Sequence, residues 1–116
     1  MMKICNQNLG IQHGSVILFS DYEHGGKMWS GSGPRTMRDV VKFEQKYISN
    51  PVVQVSISMW DFDHGSNQRA DISAQNISQH GFDLVFKTWG DTRIARIRAD
   101  WSAFGEVKGE DDWELY

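Results

Sequence analysis

The stretch "FKTWGDTRI", residues 86 to 94, sets an indole, Trp89, directly before Gly90 and Asp91. The reversal itself needs only the Gly-Asp pair, because those residues reach the backbone angles that a tight turn demands. Trp89 is left with one of two uses: a lid folded onto the core, or a flat apolar face offered to a ligand. A second cluster of chemistry-bearing residues is "DFDHG", with Asp61, Asp63 and His64. Two carboxylates and one imidazole fall short of the roughly six to eight oxygens that calcium prefers, so the expectation is a solvated loop and no metal. No nucleophile beside a base, no phosphate-cradling loop and no metal-ligand spacing accompanies these groups. The chain is therefore expected not to be an enzyme and to need no cofactor.

Composition narrows the partners. At 116 residues the chain is expected to be one domain, 1–116, with a core over about 12–105 and an acidic tail over 106–116. Twelve basic and fifteen acidic side chains give a formal charge of −3, so there is no general pull toward nucleic acid or anionic lipid. Arg93, Arg96 and Arg98 form a local basic edge, which Asp100 and the acidic tail are expected to neutralise. No run approaches the roughly 20 apolar residues that span a bilayer, and "MMKICNQNLG" lacks the apolar stretch of a secretion signal. The lone Cys5 excludes an intrachain disulfide. The tail "EVKGEDDWEL" has few apolar anchors and is expected to be mobile unless a partner chain holds it.

The elements that must position these groups show a period of two. In "RIARIRADWSAFG" the residues Ala95, Ile97, Ala99, Trp101 and Ala103 share one face, with Arg96, Arg98 and Asp100 on the other. "GFDLVFKTW" sets Phe82, Leu84 and Phe86 against Asp83 and Lys87, although Val85 blurs the polar side. "PVVQVSISMW" opposes Val53, Val55, Ile57 and Met59 to Gln54, Ser56 and Ser58, and "RADISAQNIS" carries Ala70, Ile72 and Ala74. With "GSVILFS" and "RDVVKFEQKY" there are six such segments, and no stretch sustains a capped helical period. Short connections such as "ISNP" and "GDT" favour antiparallel neighbours, and six half-apolar strands cannot hide their faces in one open sheet. The fold class is all-β, a six-stranded antiparallel β-sandwich.

The string from "SNPVVQVS" to "DWSAFG" also carries a set of ordered motifs. They are "F" then "PVV" then "VS", Asp61 after the third strand, Arg69 opening the fourth, "N-I-S" then "GF", "TW-x-D-T" at Thr88 to Thr92, and the closing "W-x-A-x-G". With the earlier "GSV" and "MW", this pattern resembles the H-type lectin domain family, which includes snail agglutinins and the carboxy-terminal domain of slime-mould discoidins. The resemblance covers about residues 12 to 105. It implies a homotrimer that binds galactose-type sugars, often N-acetylgalactosamine, in shallow sites near protomer contacts, and hence an extracellular or surface setting.

The resemblance transfers a carbohydrate-binding set of Arg69, Trp89, Gly90, Asp91, Ser32 and Asp61. A pyranose has one face of C–H groups that packs on an aromatic ring and vicinal hydroxyls that suit a forked donor, so Trp89 and Arg69 are its centre. The bland alternative for Arg69 is a surface pair with Asp61 or Asp71, and for Asp91 a plain turn residue. Where snail lectins place a His after the Trp, this chain has Gly90; an aromatic of the next strand aligns with Ala95, and an acidic loop residue with Ser32. Those departures imply little preference for the N-acetylated sugar. A different class of function, a structural trimer module that keeps the fold without the sugar, is the alternative they favour.

Overall fold

The structure is a computed structural model that describes residues 1–5 and 8–109. Six strands form two three-stranded antiparallel sheets. In chain order they are β1 (Leu9–Ser20), β2 (Arg35–Lys42), β3 (Val52–Phe62), β4 (Asp71–Gln75), β5 (Gly81–Thr88) and β6 (Ile94–Glu106). One sheet has the order β1-β6-β3 and the other β2-β5-β4, so the hairpin between β5 and β6 links the central strands of both. Strands start at Leu9 and run to Glu106, a little beyond the expected core on both sides. Residues 110–116, most of the expected mobile tail, lie outside the described residues.

The central strands fill the core because their alternation is the strongest. From β6, Ala95, Ile97, Ala99 and Ala103 are buried, while Arg96, Arg98 and Asp100 are exposed. From β5, Phe82, Leu84 and Phe86 are buried against them. Val85, on the nominally polar face, is also fully buried. Arg38 stands opposite it in the ladder and donates to Asp83 Oδ2 at 2.9 Å, so the arginine stem runs along the outer face there. Aromatic edges lock the far end of the sandwich: Phe82 meets Trp101 at 5.5 Å and 70°, and Phe43 meets Tyr47 at 5.1 Å and 88°.

Three expectations change. Met59 leaves the apolar set, because a bulge between Ile57 and Met59 shifts its partner to the outward-facing Arg98. Ala70 is exposed and precedes β4 instead of belonging to it. The segment "RDVVKFEQKY" is a strand only to Lys42; beyond it Phe43 and Tyr47 turn inward, with Phe43 N donating to His80 O and Tyr47 N to Gln79 O. The early loop holds one helical turn, α1 (Lys27–Ser30), where the sequence suggests no helix. Asp21 Oδ2 accepts from Met28 N at 3.0 Å, and the buried Met28 side chain anchors the turn to the core.

The ends of the fold meet. Val107 N donates to Asn8 O at 3.1 Å, Cys5 N donates to a Glu106 carboxylate oxygen, and Val107 packs on the core although it falls within the expected tail.

At the start of β5, a Cβ on Gly81 would stand 2.1 Å from the Val41 carbonyl oxygen, a backbone atom that cannot swing away. Gly81→Ala therefore has to push β2 from β5, and we expect it to destabilise the fold by about 3 kcal/mol, the upper part of the usual overpacking range. Chemical denaturation of the purified variant measures this; an unchanged midpoint would show that the two strands separate without cost.

Candidate functional site

The hairpin after β5 is built before it is functional. Gly90 has φ +69°, a left-handed backbone that a side chain disfavours, and a Cβ there would lie 3.2 Å from Arg69 Nη1. Glycine is thus required both by the turn and by the guanidinium lying over it. On either side, two buried threonines hold the incoming segment. Thr88 donates its hydroxyl to Arg69 O; Thr92 donates to Asn67 O at 2.6 Å and accepts from Arg69 N at 3.2 Å. Residues 67 to 69 are pinned in this way across the mouth of the turn, and Arg69 is delivered to Gly90 from outside its own strand.

The electrostatics orient the arginine. Asp91 takes a short ion-paired hydrogen bond from Arg69 Nη1 and accepts from Asn67 Nδ2 at 3.2 Å. These contacts, Asn67 first and Arg69 after it, hold the Asp91 carboxyl below the ordinary carboxylate value. The pairing expected with Asp61 or Asp71 is not what forms. The rest of the Arg69 fork, Nε and Nη2, has no partner among the described residues and stays available as a donor. Trp89, just before Gly90, keeps 45% of its surface exposed, so it is no lid on the core.

Arg69, Trp89, Gly90 and Asp91 are therefore brought together at one turn. Ser32 sits beside it through its neighbour, since Gly33 N donates to Gly90 O at 2.9 Å. Asp61 is elsewhere: it opposes Arg96 across the β3–β6 ladder and lines a cleft with Trp29 and Ala95. Asp63 and His64 belong to a loop staple. Asp63 accepts from Gly65 N at 3.1 Å and from Arg93 Nη1 at 3.1 Å. Arg93 in turn lies 4.3 Å from the Trp29 ring centroid and donates to Trp29 O.

Sequence reasoning missed one residue on which the site rests. Arg35 is buried, and its Nη2 donates to Gly90 O at 3.2 Å while its Nε and Nη1 bind carbonyls of Gly33, Met28 and Lys27. The signal present was Pro34 before it, which points to an extended strand start but not to burial.

A sandwich that presents an indole face and an oriented, partly free guanidinium at one solvent-facing turn has the make-up of a carbohydrate-binding domain. The comparison with known proteins agrees: the H-type lectin domain matches residues 38–104, and the chain belongs to that family. It is 55% identical over 108 residues to "ATP synthase subunits region ORF 7" of Fuscovulum blasticum, covering 93% of this chain and 94% of that protein. It is 35% identical over 75 residues to discoidin-2 of Dictyostelium discoideum, covering 64% of this chain but only 29% of that protein. The solved structure of recombinant discoidin II from Dictyostelium discoideum superposes with a TM-score of 0.73 at 28% identity, over 93% of this chain and 41% of that one.

The lowered Asp91 carboxyl makes a pH prediction. Its ionised form is favoured in the fold, so its contribution is fully present above the ordinary value of 3.8 and is lost as pH falls below that value through the folded one. Asp91→Asn should melt below the wild type at neutral pH, and the two midpoints should converge below about pH 3. A gap that is constant from pH 7 to pH 3, read by circular dichroism, would contradict the assignment.

Proposed function

We propose that this chain binds galactose-type glycans weakly at each site, through Trp89 and Arg69, and gains strength by presenting several sites in a homotrimer. The observation that carries the reading is the Arg69 guanidinium held over Gly90, with Asp91 fixing one end of the fork and the exposed Trp89 indole beside it. The indole supplies a wall for the C–H face of a pyranose, and the free guanidinium donors suit a pair of vicinal hydroxyls. Gly90 and Ser32 extend the contact around the turn.

One ring and one fork desolvate few groups, so a monosaccharide should bind with about −4 to −6 kcal/mol, millimolar to high micromolar. On a surface dense in glycan, the second and third contacts become effectively intramolecular and raise apparent affinity by about 10² to 10⁴. The face that favours assembly is the outer side of the β1–β6–β3 sheet. Ile11, Phe104 and Val52 stand in one row across it, and Leu9, Ile17 and Trp60 on the same two edge strands are also exposed. A run of apolar groups of that extent on one sheet favours contact with another copy.

The second reading, a structural trimer module without sugar binding, is favoured by the small residues Gly90, Ala95 and Ser32 at positions where relatives carry larger or charged contacts. The two readings part on retention. Wild type should be held on galactose-bearing resin, and Trp89→Ala and Arg69→Ala should each abolish retention; N-acetylgalactosamine resin should do no better than galactose. Failure of the wild type to bind any sugar on a broad glycan array would leave the structural module. For assembly, light scattering should give about three times the 13.3 kDa chain mass in wild type and both variants; a monomer at micromolar concentration would remove the avidity argument.

A further inference from the structure

A cleft of about 170 Å³ opens between the early loop and the ends of β3 and β6, walled by Tyr22 and Trp29 and edged by Glu23, Asp61 and Arg96. Its floor exists because Ala95 is small: on β6 the position is a methyl group, and its carbonyl accepts from Asp21 N at 2.8 Å, which draws the loop over the opening. The two rings meet edge to face at 5.0 Å and 80°, and the Arg93 guanidinium fixes the Trp29 ring at 4.3 Å. The aromatic wall is thus rigid. The polar rim is the opposite, since no ion pair among the described residues engages Glu23, Asp61 or Arg96.

We propose that this cleft is a second saccharide site, separate from the Arg69–Trp89 turn, that takes one neutral pyranose ring. The proposal rests on the carbohydrate-binding reading for its ligand class and adds a location that the turn does not include. Size fits a single ring: 170 Å³ is well below the roughly 300 Å³ at which drug-sized sites begin. Charge selects the class. An anionic ligand meets the carboxylates of Glu23 and Asp61, and a cationic one meets Arg96. A polyol is accepted by both signs, because each hydroxyl both donates and accepts. Asp61 and Arg96 are direct ladder partners, so an acceptor and a donor fork stand side by side, as two adjacent ring hydroxyls require. The aromatic wall then receives the C–H face.

The test separates this site from the turn. Saturation-transfer NMR, irradiating aromatic protons, is run with galactose, glucose and mannose on the full chain carrying Arg69→Ala and Trp89→Ala. At least one of the three sugars should retain a signal in its ring C–H protons, and adding Asp61→Asn with Arg96→Gln should weaken that binding about tenfold or more. The rim side chains make no ion pair, so melting midpoints should not move with this second pair of changes. Absence of signal from all three sugars in the first background, or a signal that the second pair leaves unchanged, overturns the second site. The turn site is judged independently, by whether the wild type is retained on galactose resin and the single Trp89→Ala and Arg69→Ala variants are not.

Discussion

A buried guanidinium cannot shed its proton, so wherever it is placed the chain must bring acceptors to it. Arg35 sits at 7% exposure and is answered by backbone carbonyls: Gly33 at 2.9 Å, Gly90 at 3.2 Å, Met28 at 3.3 Å and Lys27 at 3.4 Å. Those four oxygens come from α1, from the glycine-rich stretch after it and from the turn after β5. None of the three is held by a ladder. The early loop, which otherwise has one helical turn and two positive-φ glycines to define it, acquires a fixed position because a positive charge needs its carbonyls.

From that clasp the two candidate ligand-facing regions follow. On one side of α1, Gly90 O is fixed to Arg35 and Gly33, so the Trp89–Gly90–Asp91 turn cannot open and close freely. On the other, Trp29 is the ring that Arg93 covers and that Tyr22 abuts. Thr88 and Thr92 complete the frame from within the turn, each buried hydroxyl satisfied by the backbone of residues 67 to 69. A site that binds weakly gains from such rigidity, because little of its small interaction energy is consumed in ordering side chains.

The alternating strands were legible because period-two patterning is set by burial of one face, and β6 and β5 carry it almost without interruption. So was the motif order that points to the lectin family. Phase errors arose at bulges: the one at Ile57/Met59 turned Met59 outward, and the one at Ile17/Phe19 let Leu18 and Phe19 both be buried, which no strict alternation allows. Val85 was ambiguous because its cover is a neighbouring arginine stem, a property of Arg38 and not of Val85. The partner of Arg69 is 22 residues away along the chain, and nearer carboxylates at Asp61 and Asp71 were equally plausible on spacing alone. Arg35 was invisible as a core residue, since nothing in its type or position distinguishes a charge clasped by carbonyls from one in water.

The meeting of Asn8 and Val107 has a consequence for how such a domain can be used. Chain enters β1 and leaves β6 at the same end of the sandwich, within one hydrogen bond of each other. A host polypeptide can therefore pass through the fold and return to nearly the point it left, so that the sandwich hangs from its neighbour like a pendant on a closed loop. In that arrangement the β5–β6 turn and α1 project away from any fused partner, because β6 runs from that turn at Ile94 to the junction at Glu106. Joining this unit to other sequence leaves the end that carries Trp89 and Arg69 unobstructed, whichever side the addition is made.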